Sequence, residues 1–301
     1  MSRVIAVTGA SGFIGRYLCA ALEQTGDRVL RLGRGAPSGP DDRQTDYSRD
    51  SLVAALAGAE AVVHLAGRRM TRADAPMDLA PFWQPNVAQI ADLVAAARET
   101  GVSRLVLAST IAVYSPASGL PYREEAPAHP INAYALSKLM AEAHLEMLTR
   151  AGGPSAVALR LAAVYGHGEK GTPALMKFVG QARAGETIVL TGNADYRIDQ
   201  LYVRDAVSAF QAALASEARG VVNIGGGRAW SVGEIAETAN RVFGNAGNIR
   251  YDTDSDAPMP ETAMALDRAA EALDWRPEFD LKSGLEDFRR TGEQTSPDGA
   301  I

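Results

Sequence analysis

Behind the apolar run Val4-Ile5-Ala6-Val7, the stretch TGASGFIG sets glycines at positions 9, 12 and 15. Glycine loses more freedom on ordering than any other residue, so three of them where a strand hands over to a helix need a physical reason. A turn without side chains lets backbone amides approach a ligand. The helix N-terminus behind it adds unpaired N–H groups and a partial positive charge. Together these make a diphosphate site: Gly9 permits the tight turn, Gly12 the approach, and Gly15 the close packing of helix on strand. The spacing is Gly-x-x-Gly-x-x-Gly rather than the Gly-x-Gly-x-x-Gly of the general dinucleotide fingerprint.

The rest of the N-terminal half keeps the strand–helix rhythm. Strand-like runs at 4–7, 28–32, 61–65, 104–108 and 157–161 alternate with helical stretches at 12–24, 51–57, 82–100 and 133–150. Short, nearly all-apolar strands between amphipathic helices predict an α/β fold, a doubly wound parallel sheet of the Rossmann type. After about residue 165 the rhythm loosens. Helices at 173–184, 203–215 and 232–242 mix with isolated strands at 187–190 and 221–224, and 251–260 is rich in Asp and Pro and reads as loop. The expected organisation is a dinucleotide-binding domain over 1–165, its sheet completed by 198–225. A smaller C-terminal substrate-binding lobe is interleaved over 166–290, and 291–301 forms a flexible tail.

Composition narrows the setting. The 301 residues are 47% hydrophobic and 22% charged, enough for one large core plus a lobe. A net charge of −6 disfavours nucleic acid as a partner. The single cysteine, Cys19, falls on the apolar pattern of the first helix and reads as a buried structural thiol. No apolar run reaches the roughly 18 residues of a membrane span and no signal peptide precedes the first strand, so a cytoplasmic protein without a membrane partner is expected. His64, His129 and His167 share no ligand spacing, and no metal is expected.

Two further features carry chemistry. At the end of the second strand, RLGRG puts Gly33 where an acid would accept hydrogen bonds from the adenosine ribose 2′-hydroxyl, with Arg31 and Arg34 around it. An arginine pairs with a 2′-phosphate through parallel charge-assisted bonds, which favours NADP over NAD. In YALSK, Tyr134 and Lys138 stand four apart in a helical stretch, hence on one face. A phenol titrating near ~10 shuttles protons poorly at neutral pH, and a neighbouring ammonium would lower it.

TGASGFIG, HLAG after the third strand, ASTIAVY after the fourth, YALSK, LRLAAVYG and NIGGG occur in a familiar order and spacing. The chain resembles the extended short-chain dehydrogenase/reductases, specifically the NAD(P)-dependent epimerase/dehydratase group that acts largely on nucleotide sugars. The resemblance runs from about residue 3 to 290 and includes the closing LDWRPEFDLKSGLED. It implies that Tyr134 is the catalytic acid/base, Lys138 its electrostatic partner and Thr110 the group binding the reacting oxygen, with Ser109 in reserve. Phe13 and Ile14 would give amides to the diphosphate. Asp46, with Tyr47 beside it, would contact adenine, and Leu65, Ala66 and Gly67 would pass under the adenosine ribose. Asn86 would brace the site and Val164 lie beside nicotinamide. Arg68, Ala163, Arg197 and Tyr202 would face the substrate. A homodimer is implied through the 82–100 helix and the helix of Tyr134, whose Ala91, Ala95, Ala96, Ala141 and Ala143 permit close approach. The chemistry implied is hydride transfer at a sugar carbon, with Tyr134 moving the proton.

Three departures narrow this. Dehydrating members follow the Thr with an Asp-Glu pair; here Ile111 and Ala112 exchange no proton, so 4,6-dehydration is rejected. Ala163 replaces an Asn that contacts the substrate diphosphate in many members, and Ile198 occupies the usual arginine register beside Arg197. The readings left open are an epimerase or ketoreductase of a nucleotide sugar, an NADP-dependent reductase of a small non-nucleotide carbonyl, and a non-catalytic NADP sensor.

Overall fold

The computed structural model describes residues 2–169, 174–252 and 261–294. In chain order its elements are β1 (Val4–Thr8), α1 (Phe13–Gln24), β2 (Arg28–Gly33), β3 (Asp42–Gln44), α2 (Arg49–Leu56), β4 (Ala61–His64), α3 (Ala80–Phe82), α4 (Gln89–Thr100), β5 (Arg104–Thr110), α5 (Ala133–Arg150) and β6 (Ser155–Leu161). There follow β7 (Ala163–Tyr165), α6 (Ala174–Arg183), β8 (Ile188–Thr191), β9 (Arg197–Tyr202), α7 (Val203–Ala215), β10 (Gly220–Ile224), β11 (Ala229–Ser231), α8 (Val232–Val242), β12 (Ile249–Asp252), α9 (Asp267–Leu273) and α10 (Leu281–Gln294).

Seven strands form the central sheet in the order β10-β6-β5-β4-β1-β2-β3, every pairing parallel. A parallel sheet must be covered on both faces, which is why its strands are apolar nearly throughout. Leu18 and Leu22 of α1 and Phe210 of α7 pack on one face; Leu52 of α2, Leu93 of α4 and Leu145 of α5 pack on the other. The strand order reverses between β1 and β4, so a crevice opens at their C-terminal ends.

Of the return expected over 198–225, β10 joins the sheet and α7 covers it, but β9 does not enter. It lies in a three-stranded sheet between β7 and β11, while β8 and β12 form a separate pair. Strand β9 hides from an apolar pattern because Asp199 and Gln200 are its buried polar members. A third core, with Phe178, Ile235, Leu285 and Tyr202, holds this lobe together. Of the loop expected over 251–260, Tyr251 and Asp252 instead end β12; residues 253–260 lie outside those described, as does Pro173. Of the tail expected over 291–301, residues 291–294 complete α10 and the remainder lies outside the described residues.

The helix expected over 82–100 is broken. A wide π-turn occupies Trp83–Ala88 between α3 and α4, at Pro85. Proline donates no backbone N–H and its ring crowds the carbonyl four residues back, so the regular ladder gives way there. Among the described residues no helix is long and apolar enough to cross a membrane, and no group of three or more His, Cys, Asp or Glu residues could hold a metal ion.

Candidate active site

The glycine turn is held from below. Thr8 Oγ1 accepts from Leu65 N (3.2 Å) and Ala66 N (3.1 Å), and lies 2.9 Å from His64 Nδ1. With its lone pairs taken it donates to Nδ1, so the His64 proton sits on Nε2. Burial pushes the His64 pKa down to about 3, so this ring is a neutral structural post. Gly9 adopts φ +68°, and a Cβ there would lie 2.9 Å from Ala66 N; one on Gly15 would lie 2.8 Å from the Ala10 carbonyl. Gly12 caps α1 without any side-chain bond to the first-turn N–H groups, which remain available to an anion.

Three cavities meet at Gly67, which lines all of them. One of about 780 Å³ is bordered by Arg34, Asp46, Gln44, Gln84 and Gln89. A second, of about 380 Å³, lies over Gly9, Gly12, Phe13, Ile14 and Gly15, with Leu65 on its wall. The third, of about 260 Å³, holds Thr110, Tyr134, Lys138, Ala163 and Val164. A side-chain-free cradle in mid-crevice, a broad polar hollow at one end and titratable groups at the other suit a dinucleotide.

At the reacting end, Asn132 caps α5 by accepting from Ala135 N (2.8 Å), which starts the helix just before Tyr134. Burial raises the Tyr134 pKa; a hydrogen bond with the Thr110 hydroxyl and the positive charge of Arg69 pull it down. Arg69 is thus a cation acting on the phenol that the i, i+4 spacing did not suggest. Lys138 turns to donate to the Ala108 carbonyl at 2.8 Å, and burial pushes its pKa down to about 8, opposed by Glu142. Arg69 spans the crevice to Glu169, at 2.8 and 3.1 Å. The second arginine of HLAGRR is the one signal that could have flagged it. Nothing local in YGHGEK marks Glu169, whose partner lies 100 residues away.

Several expected site residues are placed elsewhere. Tyr47 is buried in the core with φ +68°, its phenol directed to the Gly9 backbone, so it braces the turn rather than lining the adenine hollow. Arg31 pairs with Glu23 and lines a separate hollow with Ser11, Cys19 and Gly33. Asn86, buried in the π-turn, accepts from Arg68 N (2.8 Å) and donates to the Arg68 carbonyl (3.0 Å) and Ser137 Oγ (2.9 Å); it clamps the Gly67 loop to α5. Ala66 gives its N–H to Thr8. The Ser109 hydroxyl is taken by Glu142. Arg68 lines the crevice with its guanidinium on Asp74. Arg197 begins β9, the middle strand of the small sheet, with its exposed guanidinium near Glu234. Tyr202 is buried between Tyr165 and Phe279 and donates to Asp287 at 2.8 Å, so packing removes it from the substrate side.

A model of the NAD dependent epimerase/dehydratase family matches residues 5–225. The chain is 29% identical to a UDP-glucose 4-epimerase of Azospirillum brasilense, over 93% of this chain and 89% of that protein. It is 31% identical to a dTDP-6-deoxy-L-talose 4-dehydrogenase (NAD(P)(+)) of Kitasatospora kifunensis, over 97% and 96%. Among solved structures, UDP-N-acetylglucosamine 4-epimerase from Bacillus cereus superposes with a TM-score of 0.89 at 30% identity, covering 100% of this chain and 99% of that one. MoeE5 in complex with UDP-glucuronic acid and NAD gives 0.81 at 27% identity, over 96% and 99%.

Proposed function

The chain belongs to the NAD-dependent epimerase/dehydratase family of extended short-chain dehydrogenase/reductases, and on that premise we propose that it catalyses NAD(P)-dependent hydride transfer at a hydroxyl-bearing carbon of a nucleotide sugar, as a 4-epimerase. The observation that carries this reading is that Thr110, Tyr134 and Lys138 line one wall of a crevice whose middle is the glycine cradle. Epimerisation through oxidation and reduction needs one group that both takes and returns a proton, and a buried tyrosine does this in place.

The glycine turn and the open N-terminus of α1 would hold the pyrophosphate, and the hollow by Arg34 and Asp46 the adenosine half. When bound, NAD(P) supplies the hydride acceptor and donor. Thr110 orients the substrate oxygen and Tyr134 moves its proton. Arg69 favours the phenolate, and Lys138 contributes a cation under Gly67, where a Cβ would lie 3.7 Å from its Nζ. Ile111 and Ala112 supply no acid or base for eliminating water. Arg34 at the hollow, and Gly33 with open space beyond its Cα, favour a 2′-phosphate and hence NADP. That preference supports a second reading, net reduction of a 4-keto nucleotide sugar. Leu136, Ala143 and Met147 form an exposed strip on α5 that we assign to a second copy of the chain.

The test is product analysis with UDP-glucose, UDP-N-acetylglucosamine and dTDP-4-keto sugars. Appearance of the C4 epimer with no net change in cofactor is expected. Stoichiometric consumption of NADPH would shift the conclusion to the reductase. Turnover of free ketones alone would remove the nucleotide sugar.

A further inference from the structure

Tyr134, Lys138 and Glu142 stand at i, i+4 and i+8, on one face of α5. They meet three consecutive residues of β5: Tyr134 lines one cavity with Thr110, Lys138 donates to the Ala108 carbonyl, and Glu142 Oε1 takes the Ser109 hydroxyl. Nothing in the proposed chemistry uses Glu142, yet both its oxygens are engaged. Arg160 of β6 donates from Nε to Oε1 (3.1 Å) and Oε2 (3.2 Å), and from Nη2 to Oε2 (2.7 Å), with both side chains buried. Arg160 is fixed in turn. Its Nη1 donates to the Tyr114 hydroxyl at 2.6 Å, its Cζ lies 4.8 Å from that ring, and Tyr114 donates to Asn223 Oδ1 of β10 at 3.0 Å.

We propose that Glu142 is a positioning residue for the reaction: clasped by Arg160, it locks α5 to β5 next to Thr110 and keeps a negative charge beside the Lys138 ammonium. A buried ion pair is a weak source of stability, because desolvation cancels most of its attraction, so its retention one turn from Lys138 calls for another role. Glu146 and Arg150 of α5, with Arg219 before β10, border a hollow lined also by Glu142 and Arg160. Arg160 lies on β6, and Tyr114 follows β5 with Glu124 close by. Neutral His64 on β4 is near Lys138, and Tyr134 and Lys138 share α5. Of these, Glu142 is the group that opposes the effect of burial on Lys138.

The proposal rests on the function above, and its test has a readout that needs no turnover. The chain has four lysines, at 138, 170, 177 and 282, so a ¹³C-lysine titration of the full-length protein resolves Lys138, assigned by its loss in Lys138→Arg. Glu142→Gln should lower the Lys138 midpoint by about one pH unit and kcat at least about tenfold, with cofactor affinity held. Glu142→Asp should restore most of the midpoint. Arg160→Gln, which leaves the carboxylate unshielded, should move the midpoint upward. If Glu142→Gln does not fold, Glu142→Leu with Arg160→Met replaces the pair at similar volume and should still lower kcat. Loss of kcat with an unmoved midpoint in Glu142→Gln and Arg160→Gln, or wild-type kcat in the apolar double variant, would overturn the proposal. A wild-type protein inactive on every nucleotide sugar would remove the function while the titration still reports on Glu142.

Discussion

The two ends of the crevice are built from different materials. The cradle at Gly9–Gly15 is made of backbone: no titratable side chain is required, and its shape depends on what those positions lack. The end at Thr110, Tyr134 and Lys138 is made of side chains, Lys138 buried and the other two half-buried, drawn from two elements. Backbone dipoles do not titrate and are fixed by sterics, so the cradle should tolerate pH and tolerate no added carbon atom. Buried phenol and ammonium groups have midpoints set by their surroundings, so the reacting end should accept isosteric changes in shape and respond to every change in charge.

The largest expected effect separates the ends outright. Tyr134→Phe removes one oxygen and nothing of the cradle. It should lower kcat by about a thousandfold, the usual scale for losing a general acid–base, while NAD(P) affinity stays within a few-fold of wild type. Stopped-flow turnover and a cofactor titration of the same preparation read both. Retained turnover would mean that another group, Arg69 or a water, moves the proton. Gly15→Ala tests the other end. Its Cβ would run into the carbonyls of Gly9 and Ala10, which are backbone and cannot yield as a side chain can. Cofactor affinity should fall about a hundredfold, or ~2.7 kcal/mol, while kcat at saturating cofactor stays close to wild type. An equal fall in kcat would show that the two ends are not separable.

What could be read from the chain divides along the same line. The cradle and the Tyr134–Lys138 spacing are local patterns, complete within eight and five residues, and the alternation of short apolar strands with amphipathic helices predicts the doubly wound sheet around them. Contacts made by distant segments could not be read. Arg69 meets Glu169 only because the loops after β4 and β7 face each other, so no local pattern announces that its charge also reaches Tyr134. Tyr202 misled for a related reason: at the junction of β9 and α7, sequence does not say which side of the lobe a ring will occupy, and packing against Tyr165 settled it. Pro85 was legible but unused, a helix breaker within an otherwise helical stretch that marks the π-turn carrying Asn86.

The substrate lobe carries the smallest predicted effect, and it tests whether charge matters outside the crevice. Asp199, buried in β9, accepts from Gly226 N (2.7 Å) and Met264 N (3.3 Å), tying the NIGGG loop and the segment at 264 to one carboxyl group. These bonds favour the anion, but burial wins and pushes the Asp199 pKa up to about 6 from 3.8. Between those two values the folded protein binds a proton that the unfolded chain has released, so stability falls as pH rises through this window. Part of the fall remains above pH 5, and amounts to about 1 kcal/mol between pH 5 and pH 7. Asp199→Asn keeps an oxygen that can accept from Gly226 and removes the charge. The stability difference between variant and wild type, from urea unfolding, should therefore move in the variant's favour by that amount across the interval. Parallel stability curves would show that the lobe solvates this carboxylate as well as water does, and that electrostatic tuning is confined to the end of the crevice where Tyr134 and Lys138 lie.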